Sequence, residues 1–231
     1  MRLAVLLAAL AAPAAAQPPL TLGAATYVRA PKGWQAAWFA CDPIGANDLI
    51  VAGEPRKARV TLWRMKRDAS LPWKGDFTLG RADPGAGQIY FALSAKGRER
   101  GNIHGINPGM ADPNPRLPSI SSVTLDNHRT QCRMADGAIL LAMTTKRSLI
   151  VSRERGGLVY RAFEPGKTTP AIRLARGEAV PAGNGIAYRF TNKGYDYRLV
   201  AGHGTAGGTL TVTRGGKVEL TEPFVAYSMA R

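Results

Sequence analysis

Three histidines, two cysteines and a thin scatter of carboxylates are the residues of this chain best suited to catalysis or metal binding. His128 and Cys132 stand four apart, a spacing that on a helix would turn both toward one zinc ion. Their surroundings read as strand and turn, and zinc needs more ligands than this pair offers, so no metal site is expected. His203 lies in the glycine-rich stretch AGHGTAGG. His104 lies in the middle of a Gly- and Pro-rich stretch. As a general base, either would need an orienting group brought from elsewhere in the chain. Asp112, Asp126 and Asp136, or Glu178 and Glu219, are the carboxylates available for paired acid–base work. No spacing selects a pair, and glycosidase chemistry depends on a set separation. EPGKTT at 164–169 is similar to the end of a phosphate loop, but Arg161 stands where the first glycine is required. A G-x-S-x-G elbow, an H-E-x-x-H helix and an EF-hand loop are all missing. The sequence therefore assigns no catalytic residue and calls for no cofactor.

The charge balance points to binding instead. Lysine and arginine number 31 against 16 acidic residues, a formal net charge of +15. The chain opens MRLAVLLAALAAPAAAQ: one positive charge, an apolar run, then Ala14-Ala15-Ala16 before Gln17. That is the layout of a secretory signal peptide over residues 1–16, and the run is short for a membrane span. Gln17 stands where a lipoprotein would carry cysteine. The expectation is a soluble periplasmic or secreted protein with no transmembrane segment after cleavage. For an exported basic chain the natural partners are anionic envelope components or envelope proteins, not nucleic acid. Cys41 and Cys132, an even count in an oxidising compartment, are expected to form one disulfide.

The elements that must hold these residues read as strands, with little helix. Residues 58–63, 89–93, 121–125 and 138–143 alternate or run apolar. Residues 148–152 and 158–163 form a hairpin around a turn at 153–157, and 171–175 is a further short strand. TLTVTR-GG-KVEL, at 209–220, is a hairpin whose Gly215-Gly216 loop permits a primed turn. YRFTNKGYDYRLV, at 188–200, is another. Ile186, Tyr188 and Phe190 lie on one face, Arg189 and Thr191 on the other, and Tyr195, Tyr197 and Leu199 answer across the loop 192–194. The aromatic face is core and the polar face is free to bind. The fold class is all-β, as antiparallel sandwich or barrel-like sheets, in one domain or two small ones. A boundary near 146 would separate an N-terminal unit, 17–146, with the disulfide, from a C-terminal unit, 147–231. Residues 94–118, rich in Gly and Pro, read as a long loop.

Two stretches carry a resemblance. VTLDNHRTQCRMADGAILLAMTTKRSLIVSRERGGLVYRAF (123–163) and GIAYRFTNKGYDYRLV through LTVTRGGKVEL (185–220) resemble uncharacterised exported β-rich proteins of Gram-negative bacteria. The second also resembles the small β-barrel of the C-type lysozyme inhibitors, with Lys193-Gly194 matching their turn. The resemblance implies an envelope β protein and brings no catalytic residues. Lysozymes are usually basic, and a basic inhibitor would be repelled during encounter.

The expected function is a non-enzymatic, exported β protein that binds an anionic envelope component or an envelope protein. The candidate binding residues are Lys96, Arg98, Arg100, Arg189, Lys193 and Arg198. One alternative is a lysozyme-inhibitor-like module that blocks a hydrolase cleft with the 192–194 loop. Another is a hydrolase with the 94–118 loop, which carries His104, as its lid.

Overall fold

The computed structural model describes residues 24–106, 116, 117 and 119–230. Residues 1–16, where a signal peptide is expected, and the middle of the 94–118 stretch, with Asp112, lie outside them. The described residues form twenty strands. The first eight are β1 (Ala24–Ala30), β2 (Gly33–Ala37), β3 (Phe39–Cys41), β4 (Leu49–Ala52), β5 (Arg59–Met65), β6 (Trp73–Gly85), β7 (Gln88–Ala95) and β8 (Arg98–Ile106). Then come β9 (Arg116–Leu117), β10 (Ile120–Leu125), β11 (His128–Gln131), β12 (Ala135–Asp136), β13 (Ala138–Thr144) and β14 (Ser148–Glu154). The last six are β15 (Gly157–Phe163), β16 (Ile172–Ala182), β17 (Gly185–Asn192), β18 (Tyr195–Gly202), β19 (Gly208–Arg214) and β20 (Lys217–Ala230). A single 3-10 turn, Gly204–Ala206, is the helical element among them.

Strands β13 to β20 follow one another as antiparallel neighbours, and β20 returns to pair with β13, closing an eight-stranded barrel. β20 is long enough to do this twice. Lys217 to Pro223 pair with β19, while Phe224 to Met229 pair with β13 and the last few residues also pair with β1. The β1–β2 hairpin thereby joins the barrel's sheet from the N-terminal end of the chain. The second sheet runs β11-β10-β8-β7-β6-β5-β4-β3 and curls into a half-barrel. Register shifts between Leu79 and Ala82, Leu93 and Ser94, and Ile120 and Ser122 break its ladders. Such bulges bend a strand and raise its twist. Short β9 and β12 pair with each other.

The period-2 pattern explains the cores. Tyr160, Tyr188, Phe190, Leu199, Leu210 and Phe224 fill the barrel. Phe39, Leu62, Phe91, Leu93, Ile103 and Val123 fill the half-barrel. A third core lies between the sheets, where Ala40, Leu49 and Val51 of the one meet Leu141, Met143 and Ile150 of the other. The tight turns are local. Lys96-Gly97, Asp126-Asn127, Lys193-Gly194 and Gly215-Gly216 all have positive φ at both residues. That geometry matches the twist of the flanking strands in a two-residue hairpin.

Two expectations give way. Residue 146 falls in the turn between β13 and β14, inside the barrel, so the sheet changes before β13, not after it. Residues 98–106 are also no loop: β8 pairs with β7 on one side and β10 on the other. Its interior face carries only Ile103 as a large buried side chain, with Gly101 and Gly105 beside it, which is why no apolar period showed.

Candidate functional site

The six candidate cations fall in two places, on different sheets. Lys96, Arg98 and Arg100 sit at the β7–β8 hairpin, all exposed. Arg100 is spent on a two-pronged pair with Asp126, at 2.6 and 2.7 Å. That pair holds the Asp126 carboxyl below its usual range, chiefly through the hydrogen bond from Arg100. Arg189 and Arg198 stand on the outer face of the barrel as direct cross-strand partners. Glu178, Arg189, Arg198 and Thr211 lie side by side on successive strands. Arg189 approaches Glu178 at 3.6 Å, and both side chains are more than half exposed. Lys193 occupies the turn of the same hairpin. The structure thus sets three of the six at each hairpin and places Arg189 directly opposite Arg198.

The arginines that sequence reasoning passed over are the buried ones. Asp42, fully buried, receives Arg67 Nη2 on one carboxylate oxygen and Arg133 Nε on the other, each at 2.6 Å. Arg67 also donates to the carbonyls of Asn47, Thr144 and Arg147 and to Ser148 Oγ. Arg133 donates to the Lys167 carbonyl and lies 4.2 Å from the centre of the Phe163 ring. Burial lowers the Arg67 pKa, and Asp42 opposes that shift. These groups tie the half-barrel to the barrel, and their donors are committed to protein. Arg147 and Glu222 make a similar two-pronged pair, with Thr144 donating to the same carboxylate. Tyr160, packed inside the barrel, keeps its hydroxyl without a hydrogen-bond partner, and burial raises its pKa.

A groove of about 500 Å³ runs between the sheets, floored by Ile150 and Phe163 and flanked by Arg133, Asp136, Glu154 and Arg161. Its charges balance: Glu154 takes both Arg161 and Arg173, and Arg161 also donates to Ser152. It has no preference for an anion.

Among the described residues, His104 is the histidine whose side chain the structure places in a hydrogen-bonded cluster. On the outer face of the half-barrel its Nδ1 lies 2.8 Å from Ser121 Oγ, and its Nε2 lies 2.7 Å from Gln88 Oε1. The Tyr90 ring stacks on it at 4.3 Å, and the Tyr90 hydroxyl donates to Gln88 Oε1 at 2.8 Å. His128 belongs to β11, and His203 precedes the 3-10 turn. Cys132 is joined to Cys41, and no group of three or more metal-ligating residues gathers among the described residues. Among those residues no helix is long and apolar enough to cross a membrane. No family model, curated protein or solved structure matches the chain.

Proposed function

We propose that this chain is an exported β protein that binds an anionic component of the cell envelope, or an envelope protein, through the outer face of β17 and β18. The observation that carries this reading is the Arg189–Arg198 pair. Like charges directly opposite on a sheet repel, and here the Glu178 carboxylate stands 3.6 Å from Arg189 alone. An anion seated between them would turn that repulsion into paired, charge-assisted hydrogen bonds, which arginine forms with phosphate and carboxylate alike. Thr211, next in the row, offers a hydroxyl. The signal-like segment 1–16 and the Cys41–Cys132 disulfide support an extracytoplasmic setting.

The test is co-sedimentation of the oxidised protein with lipopolysaccharide, anionic vesicles and peptidoglycan at low and high salt. Binding is expected to weaken with salt and to fall at least tenfold in an Arg189→Glu, Arg198→Glu variant. Equal binding by the variant and the parent would overturn the reading. A second reading rests on the β17–β18 tip: the exposed Lys193-Gly194 turn would enter a hydrolase cleft. Inhibition of a purified lysozyme, lost on lengthening that turn, would favour it.

A further inference from the structure

We propose that Ser121 is an activated nucleophile, with His104 as its base, and that this centre on the half-barrel carries out acyl transfer from an ester. It lies on the other sheet from Arg189 and Arg198 and goes beyond the binding reading.

The polarity of the hydrogen bonds supplies the argument. Gln88 Oε1 is an amide oxygen and can only accept. It already receives the Tyr90 hydroxyl, and it faces His104 Nε2 at 2.7 Å. The proton of a neutral His104 therefore sits on Nε2. Nδ1 is left as a bare lone pair, 2.8 Å from Ser121 Oγ, the geometry in which a serine gives up its proton. Burial, and then the nearby Arg129, lower the His104 pKa, which keeps the imidazole neutral at pH 7. The Tyr90 ring, stacked at 4.3 Å with a 9° tilt, fixes the imidazole plane. Gln88 and Tyr90 are thus positioning residues, acting through His104.

Ser121 owes its place to a defect in the ladder. The pairing of β10 with β8 slips between Ile120 and Ser122, so Ser121 is the extra residue of a bulge. Bulges re-aim side chains, and here the hydroxyl turns toward the neighbouring histidine, whose carbonyl oxygen at 3.1 Å is a second acceptor for the same proton beside the closer Nδ1. Arg129, with its Nε 3.2 Å from Ser122 Oγ, lies close enough to His104 to disfavour the imidazolium.

In the reaction Ser121 Oγ bonds to the acyl carbon and its proton passes to His104 Nδ1. The bond from that carbon to the leaving oxygen breaks, and the leaving alkoxide takes the proton from His104. Water, deprotonated in turn by Nδ1, cleaves the acyl-serine and restores the hydroxyl. The site is on an outward face, not in a cavity, so it suits an ester carried on a larger, flexible molecule.

The experiment treats the full oxidised protein with a fluorophosphonate, followed by peptide mass analysis. Ser121 Oγ–P bond formation expels fluoride, with the serine proton taken by His104. A single adduct on Ser121 is expected, absent in Ser121→Ala and at least tenfold slower in His104→Gln. The Gln88→Leu variant keeps both reacting groups but releases the tautomer. Its labelling should slow and its pH profile should shift from the parent's, whose rise follows deprotonation of His104 among Tyr90, Ser121 and Arg129. No adduct on Ser121, or equal labelling rates for the parent and His104→Gln, would refute the proposal.

Discussion

The barrel and the half-barrel are two answers to the same problem, an open sheet edge. The barrel closes by main-chain pairing. β20 is long enough to hand its partners over from β19 to β13, so every strand of the cylinder finds a neighbour. The half-barrel's edge strands β3 and β11 are drawn together instead by a disulfide beside a short main-chain bridge. Cys41 of β3 is bonded to Cys132 beyond β11, with Ile44 N to Gln131 O at 2.9 Å and Arg133 N to Asp42 O at 2.7 Å alongside. A ladder distributes closure over many weak bonds, whereas a staple concentrates it in a few residues. The half-barrel should therefore be the part a single substitution can open.

The largest effect is expected at Asp42. Its carboxylate is the counter-charge shared by two buried guanidiniums, and removing it leaves both with neutral hydrogen-bond partners such as the Thr144 and Lys167 carbonyls. Breaking a buried ion pair from one side costs about 3–5 kcal/mol. Asp42→Ala should lower the urea midpoint accordingly and loosen the contact between the sheets. Asp42→Asn, which keeps the shape and one acceptor, should lose less. A midpoint unchanged in both would show that these arginines find water instead.

The disulfide comes next. It closes a span of 91 residues. Its loss, through paired Cys41→Ser and Cys132→Ser changes, should cost about 2–4 kcal/mol. The comparison predicts where the loss falls. Amide exchange should quicken in β3, β10 and β11 while the β17–β20 amides keep their protection. Uniform quickening across both sheets would mean that the two unfold as one unit.

The same contrast decides what was legible in the sequence. The barrel hairpins show because alternation and two-residue turns are local signals. YRFTNKGYDYRLV shows Arg189 and Arg198 on the polar face of a hairpin, but their register does not show: Asn192 pairs with Tyr195, and this two-residue turn sets Arg189 opposite Arg198. Strands β3 and β4 do not show. FAC and LIVA are buried on both faces, between the half-barrel core and the core shared with the barrel, so they carry no alternation. β8 hides behind glycines that its neighbours require. A Cβ on Gly101, whose φ is +146°, would stand 1.9 Å from the Thr124 carbonyl oxygen. The Ser121–His104 contact depends on a one-residue slip in register, which no spacing in the chain announces.

Within the barrel, two tyrosines sharpen the picture at a smaller scale. Tyr227 donates its hydroxyl to the Gly202 carbonyl at 2.6 Å, while the Tyr160 hydroxyl is buried without a partner. Tyr227→Phe should cost about 1 kcal/mol and strand that carbonyl. Tyr160→Phe removes an unpaired polar atom and should leave stability unchanged or raise it by up to about 1 kcal/mol. Opposite signs in thermal melts would confirm that the barrel interior is a packed core. A loss at Tyr160 would mean its hydroxyl is paired in solution.

The smallest effect belongs to the outer face of the half-barrel, where His104 titrates. Its folded pKa lies below the ordinary value, first through burial and then through Arg129. The unfolded chain therefore binds the proton more readily than the folded one. The contribution of the neutral imidazole is fully present above the unfolded value, about 6.5. It is lost as the pH falls through that value toward the lower folded one, because the unfolded state then takes up more protons. Urea midpoints measured from pH 8 down to pH 5 should show this decline in the parent and a smaller one in His104→Gln. The barrel supplies the control. Protection of the β17–β20 amides, taken relative to the intrinsic exchange rate at each pH, should be flat over the same range, while β7, β8 and β10, which share His104, Tyr90 and Ser121, lose protection first. If the barrel amides respond equally, protonation at His104 reaches the shared core, and the staple at Asp42 couples the two sheets more tightly than their separate closures imply.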